Sequence, residues 1–438
     1  MKHTPQSIQN IIENDKTRVF SKEDDNGKTR LFRTERDGKD PMALSAKIYA
    51  DSEPVVNKES GKLRFLPAFL FLAFIFGLAI WFIFNPKLDY SSSEKRYLQK
   101  FPEVTVQSVS SGKFGEEFES YFADHFPARN LWVGFNAYYA LGTGNNGAAG
   151  VYNCSDGYLI NKPVPTENSV EKNLSAIVDF KQNLGKIPVT VMLAPSTGYI
   201  ANDKLPMIHD RYNDDRYFNT AKRTLEENGM TFVDLRESFK QAYSGGEQLY
   251  YRTDHHWTTA GAYLGYTKLC ESLGKKPIEK SALNVEIYPN FYGTTYSTSG
   301  FWLTEPDEIQ VWSNPKNTIN IRVDITDGTE NKHSDSMYFY SHLSEDDKYP
   351  VFLDGNHAIT EITNTKAADK GTVILVKDSF SHCLAPFLAE NYSKVILVDM
   401  RYYKLSVSDL AKSENAKNVI VLYGIDNFAT DTDLVWVS

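Results

Sequence analysis

Between Phe65 and Phe84 the chain reads FLPAFLFLAFIFGLAIWFIF, 20 residues without a charge. At about 1.5 Å of rise per residue, a helix of this length crosses the roughly 30 Å hydrocarbon layer of a bilayer. The pattern therefore predicts a transmembrane helix over 65–84. The run lies far from Met1, exceeds a signal-peptide core in length, and is followed by Asn85-Pro86-Lys87 rather than a small-residue cleavage pattern. It is expected to remain as an anchor.

After the span the pattern changes to an alternation of helical and strand periods. Val170, Leu174, Ile177 and Leu184 recur at three-to-four spacing, with Asn168-Ser169 as a start signal and Gly185 as a stop. The apolar run Pro188 to Ala194 then reads as a buried strand. The same alternation predicts a helix at 220–228, a strand at 230–235 and a helix at 259–273 closed by Gly274. It resumes with strand 372–377, helix 382–391, strand 394–398, helix 406–413 and strand 418–422. Strands alternating with helices imply an α/β fold, a mostly parallel sheet in three layers. Asp156-Gly157 between apolar runs predicts a hairpin over 150–159. The stretch EEFESYFADHF predicts a short amphipathic helix ending near Pro127. Residues 280–370, rich in Tyr, Asn, Thr and Gly, read as an inserted loop or β-rich region.

The expected organisation is an arm over 1–64, the span over 65–84, a neck or cap over 85–149, and the α/β domain over 150–438. The arm carries 13 Lys/Arg against 11 Asp/Glu and runs such as SKEDDNGKTR without periodicity, so it is expected to be disordered. Lys58, Lys62 and Arg64 immediately precede the span, whereas Lys87, Lys95 and Arg96 follow more distantly among acids. By the positive-inside rule the arm is cytoplasmic and the domain external. The net charge of −9 argues against a nucleic-acid partner. Cys154, Cys270 and Cys383 are three, so they cannot all pair within one chain, and they form no CxxC motif.

Two motifs carry candidate chemistry. Asp254-His255-His256-Trp257-Thr258 places an acid, two imidazoles and an indole before a helix. Later, the strand at 372–377 ends in Asp378-Ser379-Phe380, the way a nucleophilic serine is presented at a strand-to-helix turn. Each has a plainer reading, a helix cap in the first case and a Ser or Asp cap in the second. A serine nucleophile, however, needs an imidazole to take its proton and a carboxylate to orient that imidazole, in any sequence order. The two motifs together supply all three. A metal site built on Asp254, His255, His256 and His382 is disfavoured, because adjacent histidines turn poorly toward one ion and the H-x-x-x-H spacing is missing. The aromatic residues of 291–302 suit sugar stacking and core packing equally.

At these residues the chain resembles the DHHW proteins. The resemblance rests on Thr253-Asp254-His255-His256-Trp257-Thr258, Leu353-Asp354-Gly355-Asn356-His357, Val376-Lys377-Asp378-Ser379-Phe380 and Val398-Asp399-Met400-Arg401-Tyr402-Tyr403. It covers approximately residues 97 to 438. These proteins are similar in turn to extracytoplasmic alginate O-acetyltransferases with SGNH-hydrolase-like domains. The resemblance implies Ser379 as nucleophile, His256 as general base and Asp254 as orienting acid, with His255 at a variable position. The backbone N–H of Ser379 is the first oxyanion donor expected, with Asn356 and Asn427 as candidates for the second. Here Lys-Asp-Ser-Phe stands where most SGNH hydrolases carry Gly-Asp-Ser. The implied function is a membrane-anchored O-acetyltransferase acting outside the cell on a polysaccharide acceptor, fed by a polytopic membrane-bound O-acyltransferase. A carbohydrate esterase acting alone and a non-catalytic polysaccharide-assembly or binding protein are the alternatives. No cofactor is called for.

Overall fold

The computed structural model describes residues 65–438 apart from 165–167 and 318–319, and two strands of the N-terminal arm. Those strands, Thr17–Glu23 and Thr29–Glu35, pair antiparallel, where the sequence pattern led us to expect no regular structure. The rest of the expected disordered arm lies outside the described residues. Leu66–Phe84 forms one helix with mean hydropathy 2.5, long and apolar enough to cross a membrane. With no charged residue it has no polar face to turn toward water.

Asn85 to Ser438 form a separate compact unit. Its N-terminal part includes helices α1 (Lys113–Asp124) and α2 (Arg129–Gly142). The expected hairpin follows, Val151–Asn153 paired with Leu159–Asn161. Its turn has Asp156 and Gly157 at φ 56° and 76°, a left-handed pair that Asp-Gly accommodates. Further helices include α3 (Asn168–Leu184), α4 (Asp214–Glu227), α5 (Thr259–Ser272), α6 (Ser381–Leu388), α7 (Val407–Ser413) and α8 (Ile425–Thr430). The sheet strands are β1 (Val189–Ala194), β2 (Thr231–Asp234), β3 (Ile321–Asp327), β4 (Glu330–Ser334), β5 (Ile359–Asn364), β6 (Thr372–Lys377), β7 (Lys394–Val398) and β8 (Asn418–Gly424).

These eight strands form one sheet in the order β4-β3-β5-β7-β6-β8-β1-β2. From β7 to β2 neighbours are parallel, and β5, β3 and β4 add an antiparallel edge. Part of the inserted β-rich region thus extends the central sheet. Its other strands, Asn284–Phe291 and Asp307–Ser313, form a separate antiparallel pair.

The parallel strands β1, β6, β7 and β8 are buried on both faces, which is why they read as near-continuous apolar runs. In β1, Val189, Val191 and Leu193 join the core shared with Val170, Leu174 and Ile177 of α3 and Phe218 of α4. Met192 and Ala194 turn to the other core, with Trp257, Tyr266 of α5 and Leu384 of α6. Each such fully buried aliphatic side chain contributes about 1.5–3 kcal/mol relative to exposure, so the alternation in β1 fixes both its layer and its register.

The winding places the site. From β1 the chain moves outward to β2, and from β6 it moves outward the other way to β7. β8 then returns between β6 and β1. In such sheets ligands bind outside the carboxyl ends of the strands where the winding reverses. The carboxyl ends there are those of β6, β8 and β1.

Candidate active site

Ser379 lies two residues beyond β6 and two before α6. The turn is braced by its neighbour Asp378, which is buried. One carboxylate oxygen accepts from the Phe380 N–H at 3.0 Å, and the other accepts from the Gly424 N–H and Asn427 Nδ2, both at 2.8 Å. Burial pushes the Asp378 carboxyl up to about 6 against these hydrogen bonds. Gly424 has no room for a side chain, since a Cβ there would meet the Phe380 ring at 2.5 Å. No group among the described residues accepts the Ser379 N–H, which leaves it available as a donor.

The Asp254–His256 loop is pinched shut at its base. The Tyr251 N–H donates to the His256 carbonyl at 3.2 Å and the Thr258 N–H to the Leu249 carbonyl at 2.8 Å. Thr258 then caps α5 through the Gly261 N–H at 3.2 Å. Fully buried Trp257 ties this loop to the serine turn by donating from Nε1 to the Phe380 carbonyl at 2.9 Å. Two residues outside the motif hold Thr253 and Asp254. Asp307 accepts from Thr253 N–H and Oγ1, each at 2.7 Å. Thr294 donates its N–H to the Asp254 carboxylate at 2.7 Å.

These supports bring the three separated residues into line. His256 Nε2 lies 2.7 Å from Ser379 Oγ, and His256 Nδ1 lies 2.5 Å from Asp254 Oδ1. The same Asp254 oxygen accepts the His256 N–H at 2.8 Å. Burial alone would raise the Asp254 carboxyl, but the neighbouring imidazoles and hydrogen bonds outweigh it and hold the carboxyl well below its usual range. The carboxylate thus keeps its charge and fixes Nδ1 as the protonated nitrogen, leaving Nε2 facing Ser379 to accept a proton. Half-buried Ser379 remains open to a ligand while His256 and Asp254 are buried.

His255 takes a different place. Its Nδ1 meets Thr294 Oγ1 at 2.5 Å, and its ring leans on His256 with centroids 3.9 Å apart. Burial first, and the neighbouring His256 imidazole second, lower its pKa to about 4, so it is neutral at physiological pH. Asp254, His255 and His256 offer ligand atoms within 4.8 Å of one another, but both His256 nitrogens and both Asp254 oxygens are already engaged in the relay and its supports. Neither candidate for the second oxyanion donor bonds to Ser379. Asn427 donates to Asp378, and Asn356 accepts from Lys377 at 3.3 Å and Arg401 at 2.8 Å.

Tyr349 was not visible as a site residue in the sequence. Its ring stacks on His256 at 4.1 Å and 11°, and its hydroxyl donates to the Ser379 carbonyl at 3.2 Å. Behind the serine turn, buried Lys377 bonds Asp399 Oδ2 and His382 Nε2, each at 2.8 Å. Burial and the Lys377 charge keep His382 neutral, so its Nε2 accepts from the Lys377 ammonium. Of the aromatic run, Phe291 and Phe301 are core residues. Tyr292 and Tyr296, with ring centroids 4.3 Å apart, line an open groove of about 570 Å³ beside Lys95 and Arg129.

Comparison with known proteins bears on the family and the fold. Residues 211–398 match the DHHW protein family model. A probable alginate O-acetylase, AlgJ of Pseudomonas fluorescens, is 25% identical over 232 residues, 49% of this chain and 53% of that protein. The AlgJ of Pseudomonas putida is 24% identical over 193 residues, 41% of this chain and 49% of that protein. The chain thus spans about half the length of the curated relatives it matches. A crystal structure of a DHHW family protein from Eubacterium siraeum superposes with TM-score 0.55 at 20% identity, over 66% of this chain and 95% of that one. Bacillus cereus PatB1, solved with a sulfonyl adduct, superposes with TM-score 0.55 at 20% identity, over 65% of this chain and 97% of that one. The resemblance read from the sequence is thereby borne out: residues 211–398 carry the DHHW pattern, on an SGNH-hydrolase-like α/β fold.

Proposed function

We propose that this chain is a membrane-anchored O-acetyltransferase that modifies a polysaccharide outside the cell through an acetyl-Ser379 intermediate. The observation that carries the reading is the continuous line from Asp254 through His256 to Ser379. The alginate O-acetylase name of the curated relatives supports a polysaccharide acceptor, and the apolar helix Leu66–Phe84 supports the anchor.

In the first step His256 Nε2 takes the proton of Ser379 as Oγ bonds to the acetyl carbonyl carbon. The oxyanion that forms is held by the Ser379 N–H, at the positive end of α6. Collapse breaks the bond to the donor's leaving group, which takes the proton from His256. In the second step His256 removes the proton of a sugar hydroxyl, whose oxygen bonds to the acetyl carbon. The bond to Ser379 Oγ breaks, and the proton returns to that oxygen. The acetyl donor is delivered by a polytopic membrane-bound O-acyltransferase, and the external side of the membrane follows from the charge distribution around the span.

The test is mass spectrometry after incubation with an activated acetyl ester such as p-nitrophenyl acetate. Wild type is expected to gain a single acetyl group on Ser379, and Ser379→Ala none. Well-folded wild type that neither turns over the ester nor carries the adduct would refute the reading and favour a polysaccharide-binding role.

A further inference from the structure

Helix α2 is apolar on both of its sides. From Asn130 to Gly142 it contains no charged residue. One side is covered: Ala137 is buried in a cluster with Phe301, and a Cβ on Gly134 would fall 2.5 Å from the Trp302 indole. The opposite side is bare. Leu131, Phe135 and Tyr139, at four-residue spacing, are 65%, 62% and 60% exposed. Asn130 and Asn136 are also exposed on this helix, but contiguous apolar surface on a folded unit marks something that binds there.

We propose that this face of α2 lies in the interface of the bilayer, with lipid as its partner. Three observations favour lipid. The chain leaves the apolar helix at Phe84, and the unit containing α2 begins at the next residue. The bare face has no charge with which to form the polar rim of a protein interface. It also combines aliphatic Leu131 with Tyr139 and the 41% exposed Trp132, side chains suited to the level of the lipid headgroups. Docking would hold the Ser379 site near the membrane, where an acetyl group carried across the bilayer emerges. The inference rests on Leu66–Phe84 being a membrane span.

The test uses the full chain in nanodiscs of phosphatidylcholine and phosphatidylglycerol, carrying a fluorescent bimane on one introduced cysteine. The sites are Phe135→Cys on the bare face, Ile75→Cys in the span and Leu405→Cys as a control that is 70% exposed. The native thiols are buried, so the label goes to the introduced site. The expected result is that acyl-chain-brominated lipids quench the label at Phe135 to at least half the extent seen at Ile75, while Leu405 responds only to aqueous iodide. Quenching at Ile75 with none at Phe135 overturns the docking and leaves the span intact. A Phe135 label shielded from both quenchers also overturns it, in favour of a protein partner or a second copy. Absence of lipid quenching at Ile75 overturns the span, and the docking falls with it.

Discussion

Gly293→Ala is expected to disable the site without touching any of the three relay residues. Gly293 has φ −92° and ψ −168°, an extended conformation open to any residue, so the demand for glycine here is spatial. A Cβ at this position would lie 2.1 Å from Asp254 Cβ, 2.4 Å from its Oδ2 and 2.6 Å from its Cα. Non-bonded carbons approach only to about 3.5 Å, so the two segments must part by more than about 1 Å. Because the backbone of Asp254 is itself in the way, a rotamer change cannot relieve the clash. Parting also stretches the 2.7 Å bond from the Thr294 N–H to the carboxylate. A misplacement of about 1 Å in a catalytic assembly costs on the order of 100-fold in rate, and overpacking of this kind costs about 1–3 kcal/mol of stability. The assay is the rate of p-nitrophenolate release with thermal denaturation in parallel. Gly115→Ala serves as control, since nothing lies within 4 Å of its added Cβ. A folded Gly293→Ala protein acetylating Ser379 at the wild-type rate would refute the role given to Asp254.

Tyr349→Leu removes the ring stacked on His256 and is expected to lower kcat up to about 10-fold, given roughly 0.5–1.5 kcal/mol for an aromatic pair. Tyr349→Phe keeps the stack and loses only the hydroxyl bond to the Ser379 carbonyl, so its loss should be smaller. Equal rates for Tyr349→Leu and wild type would dismiss the stack as incidental. Asp426 has its carboxyl pushed up to about 7 by burial and then by Asp214. Because its folded pKa is raised above the ordinary value of about 3.9, its favourable contribution is complete below about pH 4 and is lost progressively as pH rises from there through about 7. Asp426→Asn is therefore expected to stabilise the protein at pH 8 by about 1 kcal/mol, discounted for partial exposure, with little effect below about pH 4. A melting-temperature difference from wild type that is the same at both pH values would show that this carboxyl does not titrate as described.

The parallel strands and their helices were legible in the sequence because burial on both faces makes uninterrupted apolar runs, as in Thr372–Lys377 and Asn418–Gly424. Ser379, His256 and Asp254 were legible because two short motifs carry them. Residues that support the site from elsewhere were not. Tyr349 and Asp307 meet the site only through tertiary structure, and no local spacing marks either one among 26 tyrosines and many acids. Gly293-Thr294 lay in a stretch noted for its aromatics, where the informative residue was the glycine between them. The antiparallel edge β3–β5 was hidden for another reason. β3 alternates, with Val323 and Ile325 buried and Arg322 and Asp324 not, but β4 and β5 are mostly polar in sequence, ENKHS and ITEITN, and carry no apolar run.

β8, made after every other strand of the sheet, occupies its middle. It separates β6 from β1 and supplies the Gly424 N–H that braces the serine turn, while Asn427 just beyond it supplies the second brace. During synthesis, the residues that carry the relay all emerge before the strand that locks them in place. A nascent or truncated chain ending before residue 418 lacks a central strand instead of an edge, so β6 and β1 have no strand between them, and its two halves are left to contacts such as Trp257 with Phe380. The serine turn therefore gains its Gly424 and Asn427 braces only once the last strand of the sheet has been made.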